Sequence, residues 1–184
     1  MCVSEAGWLM VPFGKLMNSK ETKEMQSELG NTIASDFAAY YQSIAEKVHE
    51  WVEPLSTTEI WRRPYPYGNS IGHLLLHLIG NLNYYIGARI ANTGYVRNRD
   101  IEFTDPNSKP KEELLKNFDA AIEMVVTAIE KQTAADWPAS YTAERSDAKD
   151  RFMMVLNCAG HLYHHVGQII YLSKELARQR AASA

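Results

Sequence analysis

"HLYHHVGQII", residues 161–170, decides how this chain folds. Leu162, Val166, Ile169 and Ile170 recur at helical steps, the period of one helix face and not of a strand. Three of the six histidines fall within its first five positions. Each helical residue turns about 100°. With Val155, Ala159, Leu162 and Val166 at the centre of the apolar face, His165 lies roughly 80–100° from that centre and His161 roughly 120–140°, on the same side. His164 lands near the opposite side. The stretch therefore holds a stacked pair, His161 and His165, and an outward neighbour.

The helix carrying this pair is expected over residues 148–177. Working upstream, three more amphipathic segments appear. Residues 31–52 place Ile33, Phe37, Tyr41, Ile44, Val48 and Trp51 on one face, and Pro54 stops them. A second segment starts at Asn69 or Ser70, either of which can cap it, and fades near Thr93-Gly94. A third starts near Pro110, with Glu112 and Glu113 suited to its first turn and Leu115, Phe118, Ile122, Val125 and Ile129 as its stripe. Alternating apolar and polar runs are nearly absent. The expected fold is all-α, a four-helix bundle over residues 31–180. Connections of roughly 15 residues are long for hairpins and leave room for a crossover.

Composition narrows the classes. The chain has 184 residues, which fits one domain, and a formal net charge of −3, which gives no electrostatic case for nucleic-acid binding. Cys2 and Cys158 make no disulfide framework, so a reducing, cytoplasmic setting is expected. No apolar run reaches the roughly 18 residues of a membrane span, and residues 1–30 lack the order of a signal peptide. Those residues read as an N-terminal extension, partly disordered, with Met17 and Met25 as candidate starts.

An i, i+4 histidine pair suits a metal, because two imidazoles one turn apart can share an ion. Helix two supplies more in "SIGHLLLHLIGN". His77 lies roughly 120–140° from its apolar centre, whereas His73 falls near the far side and reads as a surface or interface residue. Three nitrogens from two helices leave an open coordination position, the pattern of a catalytic site. His73, His164 and Cys158 are possible extra ligands, although a cysteine is often only a small buried residue. Gln168 and Asn81, each one turn beyond a ligand, could orient it or touch substrate. Arg97 and Arg99 could hold an anionic substrate, or join Asp100 and Glu102 in ion pairs that pin the loop. His49 reads as structural.

These residues resemble the DinB-like superfamily of metalloenzymes. The likeness rests on "LLLHLIGN" followed far downstream by "HLYHHVGQII", with His161, His165, Gly167, Gln168 and Ile169 its most specific part, and covers about residues 33–176. "NSIGHLLLHLIGN" and "RNRDIEF" (residues 97–103) look closest to a branch without an assigned reaction. The resemblance implies up-down-down-up order with a long crossover between helices two and three. It implies a metal triad of His77, His161 and His165, a small-molecule substrate and a homodimer; the nitrogen ligands themselves suit zinc, nickel, iron or copper, with zinc or nickel expected first and iron next. It also implies thiol S-transfer with a low-molecular-weight thiol. The residues equally allow a metal-dependent hydrolase or a non-catalytic, stress-associated metal-binding bundle. The apolar Leu76 and Ala88 on helix two mildly favour a dimer.

Overall fold

The computed structural model describes residues 18–104 and 107–183. The expectation of disorder for the first residues of the extension falls outside them. The helices are α1 (Ser19–Val52), α2 (Thr57–Trp61), α3 (Ile71–Leu82) running into a π-helical turn (Asn83–Ala88), α4 (Ile101–Thr104), α5 (Lys111–Glu130) and α6 (Arg151–Ala182). The described residues form no strand, only an isolated antiparallel bridge between Ser140 and Asp150. None of their helices is long and apolar enough to cross a membrane.

Each start follows from a local capping group. Asn18 and Glu21 form a reciprocal capping box on α1, and Ser56 and Glu59 form one on α2. Ser70 accepts from the His73 backbone N–H, and Asp150 from that of Met153. The Asn18 cap explains why α1 begins at Ser19 rather than near Asn31: a good N-cap lies upstream of the first apolar face. Likewise α6 starts later than expected, because Asp150 sets its first turn, and it runs on to Ala182.

Four long helices form the bundle, with α1 packed on α5 and α6, and α3 packed on the same two. Specific bonds fix their directions. Lys111 Nζ donates to the Glu53 and Leu55 carbonyls, and Trp137 Nε1 donates to the Gly30 carbonyl, so α1 and α5 run antiparallel. Tyr41 donates to the Val155 carbonyl at 2.8 Å and Ser173 to that of Trp51, so α1 and α6 run parallel. Gly72 lies under Trp61, whose Nε1 reaches the Lys109 carbonyl, while Gly87 lies against Met124; hence α3 and α5 are parallel. His77 facing His161, and Tyr85 sharing a cavity wall with Met154, make α3 and α6 antiparallel. The order is up-down-down-up, and α4 sits within the crossover.

The core is the set of faces read from the sequence, including Tyr41, Ile44 and Val48 of α1, Phe118 and Val125 of α5, and Val155, Leu162, Val166 and Ile169 of α6. Helix α3 is different. It is buried nearly all round, His73 included at 8% exposure. The angular reading placed His73 at the surface. It failed because α2 covers that side: the Trp61 ring meets the His73 ring edge-on at 5.2 Å. Ser70 Oγ lies 2.6 Å from His73 Nδ1.

Candidate metal centre

His77 stands on α3, and His161 and His165 stand one turn apart on α6. One nitrogen from each lies within 4.8 Å of the others. The His77 and His161 Nε2 atoms are 2.9 Å apart. The His161 and His165 rings stand edge to face at 4.5 Å between centroids. The three histidines singled out in the sequence are the three that converge.

Supporting bonds fix which nitrogen the His77 and His165 rings present. His77 Nδ1 donates to Glu102 Oε2 at 2.8 Å, leaving Nε2 with its lone pair toward His161. His165 Nδ1 donates to Gln168 Oε1 at 2.8 Å, and Gln168 Nε2 donates to His164 at 3.2 Å. Gln168 thus orients a ring of the cluster, while the exposed His164 stays outside it. Phe103 of α4 packs on the His77 ring, 5.0 Å between centroids.

Glu102 is the residue that sequence reasoning grouped only with loop ion pairs. It is buried at 5% exposure. Arg97 grips it through two bonds, Nε to Oε1 at 2.7 Å and an Nη to Oε2 at 2.9 Å. Burial alone would raise its carboxyl pKa. The hydrogen bonds from His77 and Arg97 outweigh that and hold it below the usual range. Gly80 makes the approach possible: a Cβ there would sit 2.2 Å from Glu102 Oε1. The Arg97–Glu102 pair therefore both anchors the crossover and orients His77. The sequence signal was a glycine one turn after His77 and one of two acids, Asp100 and Glu102, in a charged loop.

Electrostatics favour neutral imidazoles at His161 and His165. Burial, followed by the neighbouring imidazoles, depresses His161 to about 4. Burial also lowers His165, against the raising effect of its bond to Gln168. Neutral rings offer lone pairs, as a metal requires. Nitrogens bound to a tetrahedral ion at about 2.0–2.1 Å lie roughly 3.3 Å apart. The 2.9 Å pair need open only by a few tenths of an ångström. The donor set fits a divalent ion.

A cavity of about 370 Å³ opens beside the cluster. His77 and His161 form its inner wall, with Asn81, Cys158, Arg99 and Arg145 among its other lining residues. Cys158 lies there, outside the group of converging ligand atoms; burial pushes its thiol up to about 12, so it is a neutral S–H.

The family described as "Protein of unknown function (DUF1572)" matches residues 28–183. The chain belongs to that family. No curated protein matches the DUF1572 chain. Among solved structures it is similar to the crystal structure of a DinB-like protein from Bacillus cereus ATCC 10987. The TM-score is 0.61 at 12% identity, over 77% of this chain and 91% of that one. At that identity the likeness is one of fold. The expected four-helix bundle thus holds, and this DUF1572 protein shares its fold with a DinB-like protein.

Proposed function

We propose that the protein is a metal-dependent enzyme of the DinB-like type, using one divalent ion on His77, His161 and His165 for thiol S-transfer to small electrophiles. Zinc or nickel is the preferred ion, then iron. One observation carries the reading: three imidazole nitrogens from two helices converge within 4.8 Å. They do so beside a cavity large enough for a small molecule. When bound, such an ion lowers the pKa of a thiol or water held against it and so supplies a nucleophile at neutral pH.

The chain's own residues do the rest. Glu102 and Arg97 keep the His77 ring turned so that Nε2 faces the site. Gln168 does the same for His165. Phe103 packs on the His77 ring and shields that ring from water. A low-molecular-weight thiol is the cosubstrate in this reading. A homodimer is part of it too, supported by exposed apolar side chains along α6 at Met153, Leu156 and Tyr163.

The test is the metal content of protein purified without a histidine tag, as wild type and as His161→Ala. About one ion per wild-type chain and background in the variant is expected. Equal content in both sinks the triad. Incubating the loaded protein with electrophiles and a panel of small thiols then tests the reaction. Metal-dependent turnover without any thiol would replace S-transfer by hydrolysis.

A further inference from the structure

The cavity beside the histidines carries more information than the cluster itself. Three arginines line it, Arg97, Arg99 and Arg145. Arg97 is committed, because two of its nitrogens bond Glu102 and one of them also lies 3.4 Å from His77 Nδ1. Among the described residues Arg99 and Arg145 have no carboxylate in ion-pair contact; the Arg99 guanidinium lies 5.3 Å from the Phe103 ring centroid. Asp147 is the acid on the same wall. Arg145 also holds φ at 58°, in the left-handed region that a non-glycine residue seldom adopts. Its turn sits against Tyr85, whose hydroxyl donates to the Glu144 carbonyl at 3.1 Å.

A second, independent observation concerns another residue of the same lining. Asn81, one turn beyond His77, is 7% exposed, and its Oδ1 has no hydrogen-bond partner among the described residues. A buried amide oxygen without a donor is costly, on the order of 1–3 kcal/mol. A ligand hydroxyl or amine in the cavity that Asn81 lines would satisfy it.

We infer that this cavity binds a small oxyanion-bearing substrate, a carboxylate or phosphate held by Arg99 and Arg145, with a hydroxyl or amine donor directed to Asn81. The inference rests on the metal reading for its reacting end. Three neutral imidazoles leave the charge of a divalent ion uncompensated, and the Arg97–Glu102 pair adds none. Arg99 and Arg145 outnumber Asp147 on the same lining, so the site attracts an anion. Arginine forks match either group, which is why the shared chemistry is a planar or tetrahedral oxyanion. The roughly 370 Å³ volume sets the substrate size at that of a small metabolite.

Four probes separate the parts: glycerate, glycerol 3-phosphate, propionate and glycerol. They are titrated into isotope-labelled, zinc-loaded and metal-free protein, and binding is read from backbone amide shifts. Metal content is measured on the same samples. Both glycerate and glycerol 3-phosphate should bind at the cavity, and glycerol should not. The stronger of the two names the oxyanion. The double variant Arg99→Gln/Arg145→Gln, at two exposed positions, should weaken them at least tenfold with an unchanged spectrum elsewhere. Asn81→Leu should bring glycerate down to the affinity of propionate. Unchanged affinity in the double variant, or glycerol binding as well as glycerate, overturns the inference. Glycerate that still outbinds propionate in Asn81→Leu overturns the role of Asn81. Arginine-dependent binding in protein that takes up no metal would uphold this inference and defeat the metal reading. Zinc-loaded protein that ignores the arginines would do the reverse.

Discussion

His49 and His77 both touch carboxylates, yet the two regions do opposite things. His49 lies on α1, with Nδ1 2.8 Å from Glu53 and Nε2 2.7 Å from Asp119 of α5. Both its nitrogens face acceptors, so the ring is suited to carry two protons and no lone pair. Burial lowers its pKa, but the bonds to Asp119 and Glu53 win and raise it. His77 meets one carboxylate, and Arg97 has already balanced that charge. Its second nitrogen faces another imidazole. The contrast teaches that a nearby acid does not make a histidine a ligand or a pin; the partner on the other ring nitrogen does.

The comparison breaks most severely at Glu102. The Glu102 and Arg97 side chains are only 6% and 10% exposed. Glu102→Ala leaves a buried guanidinium without its partner and should cost about 3 kcal/mol of stability, read by chemical denaturation. It should also weaken metal binding by about 10- to 100-fold, read by competition with a chelator. A variant with native metal affinity would show that His77 needs no orienting acid.

Gly80→Ala probes the same contact more gently. Its Cβ would press on the Glu102 carboxylate at 2.2 Å, so one of them must shift. Overpacking of this kind costs about 1–3 kcal/mol. Metal affinity should fall along with stability. A stability loss alone would mean that the carboxylate can move without releasing His77.

Stability against pH should slope in opposite directions in the two regions. His161 is depressed to about 4 in the folded chain. Its contribution in metal-free protein is present above the ordinary value of about 6.5 and is lost as pH falls from there through about 4. His49 is raised, so its contribution is full below about 6.5 and is lost as pH rises through its folded value. Comparing thermal midpoints of metal-free wild type and His161→Ala between pH 4 and 7 checks the first slope. Loss of the difference between them at high pH instead of low would reverse the sign.

The smallest effect belongs to His49→Gln. Its partners are largely solvated, so roughly 0.2–1 kcal/mol is expected at pH 6 and less at pH 8. Metal content should not change. A loss of metal would mean that the α1–α5 pin reaches the site.

Much of this was legible before any coordinates. The heptad-like faces of α1, α5 and α6 and the position of Pro54 gave the helices, and the angular positions of His77, His161 and His165 marked the converging set. His73 was misread because a helical wheel knows one helix and not what lies against it; α2 and Trp61 cover its far side. The start of α1 was placed too late because capping residues, not only apolar faces, set helix ends. Glu102 lies in the one-turn helix α4 and Arg145 in an irregular connection, both too short for a period to predict direction.

By itself the sequence determined the periodicity, the caps and the residue types, since these act over one or two turns of chain. It therefore settled four long helices and which histidines could share a face. Only the tertiary structure decided what each ring nitrogen meets. That depends on contacts such as His77 with Glu102 and His161, 25 and 84 residues away along the chain. The packing of α3 against α6 and α4 brings those groups together, and the absent side chain of Gly80 leaves the space for Glu102 to reach His77.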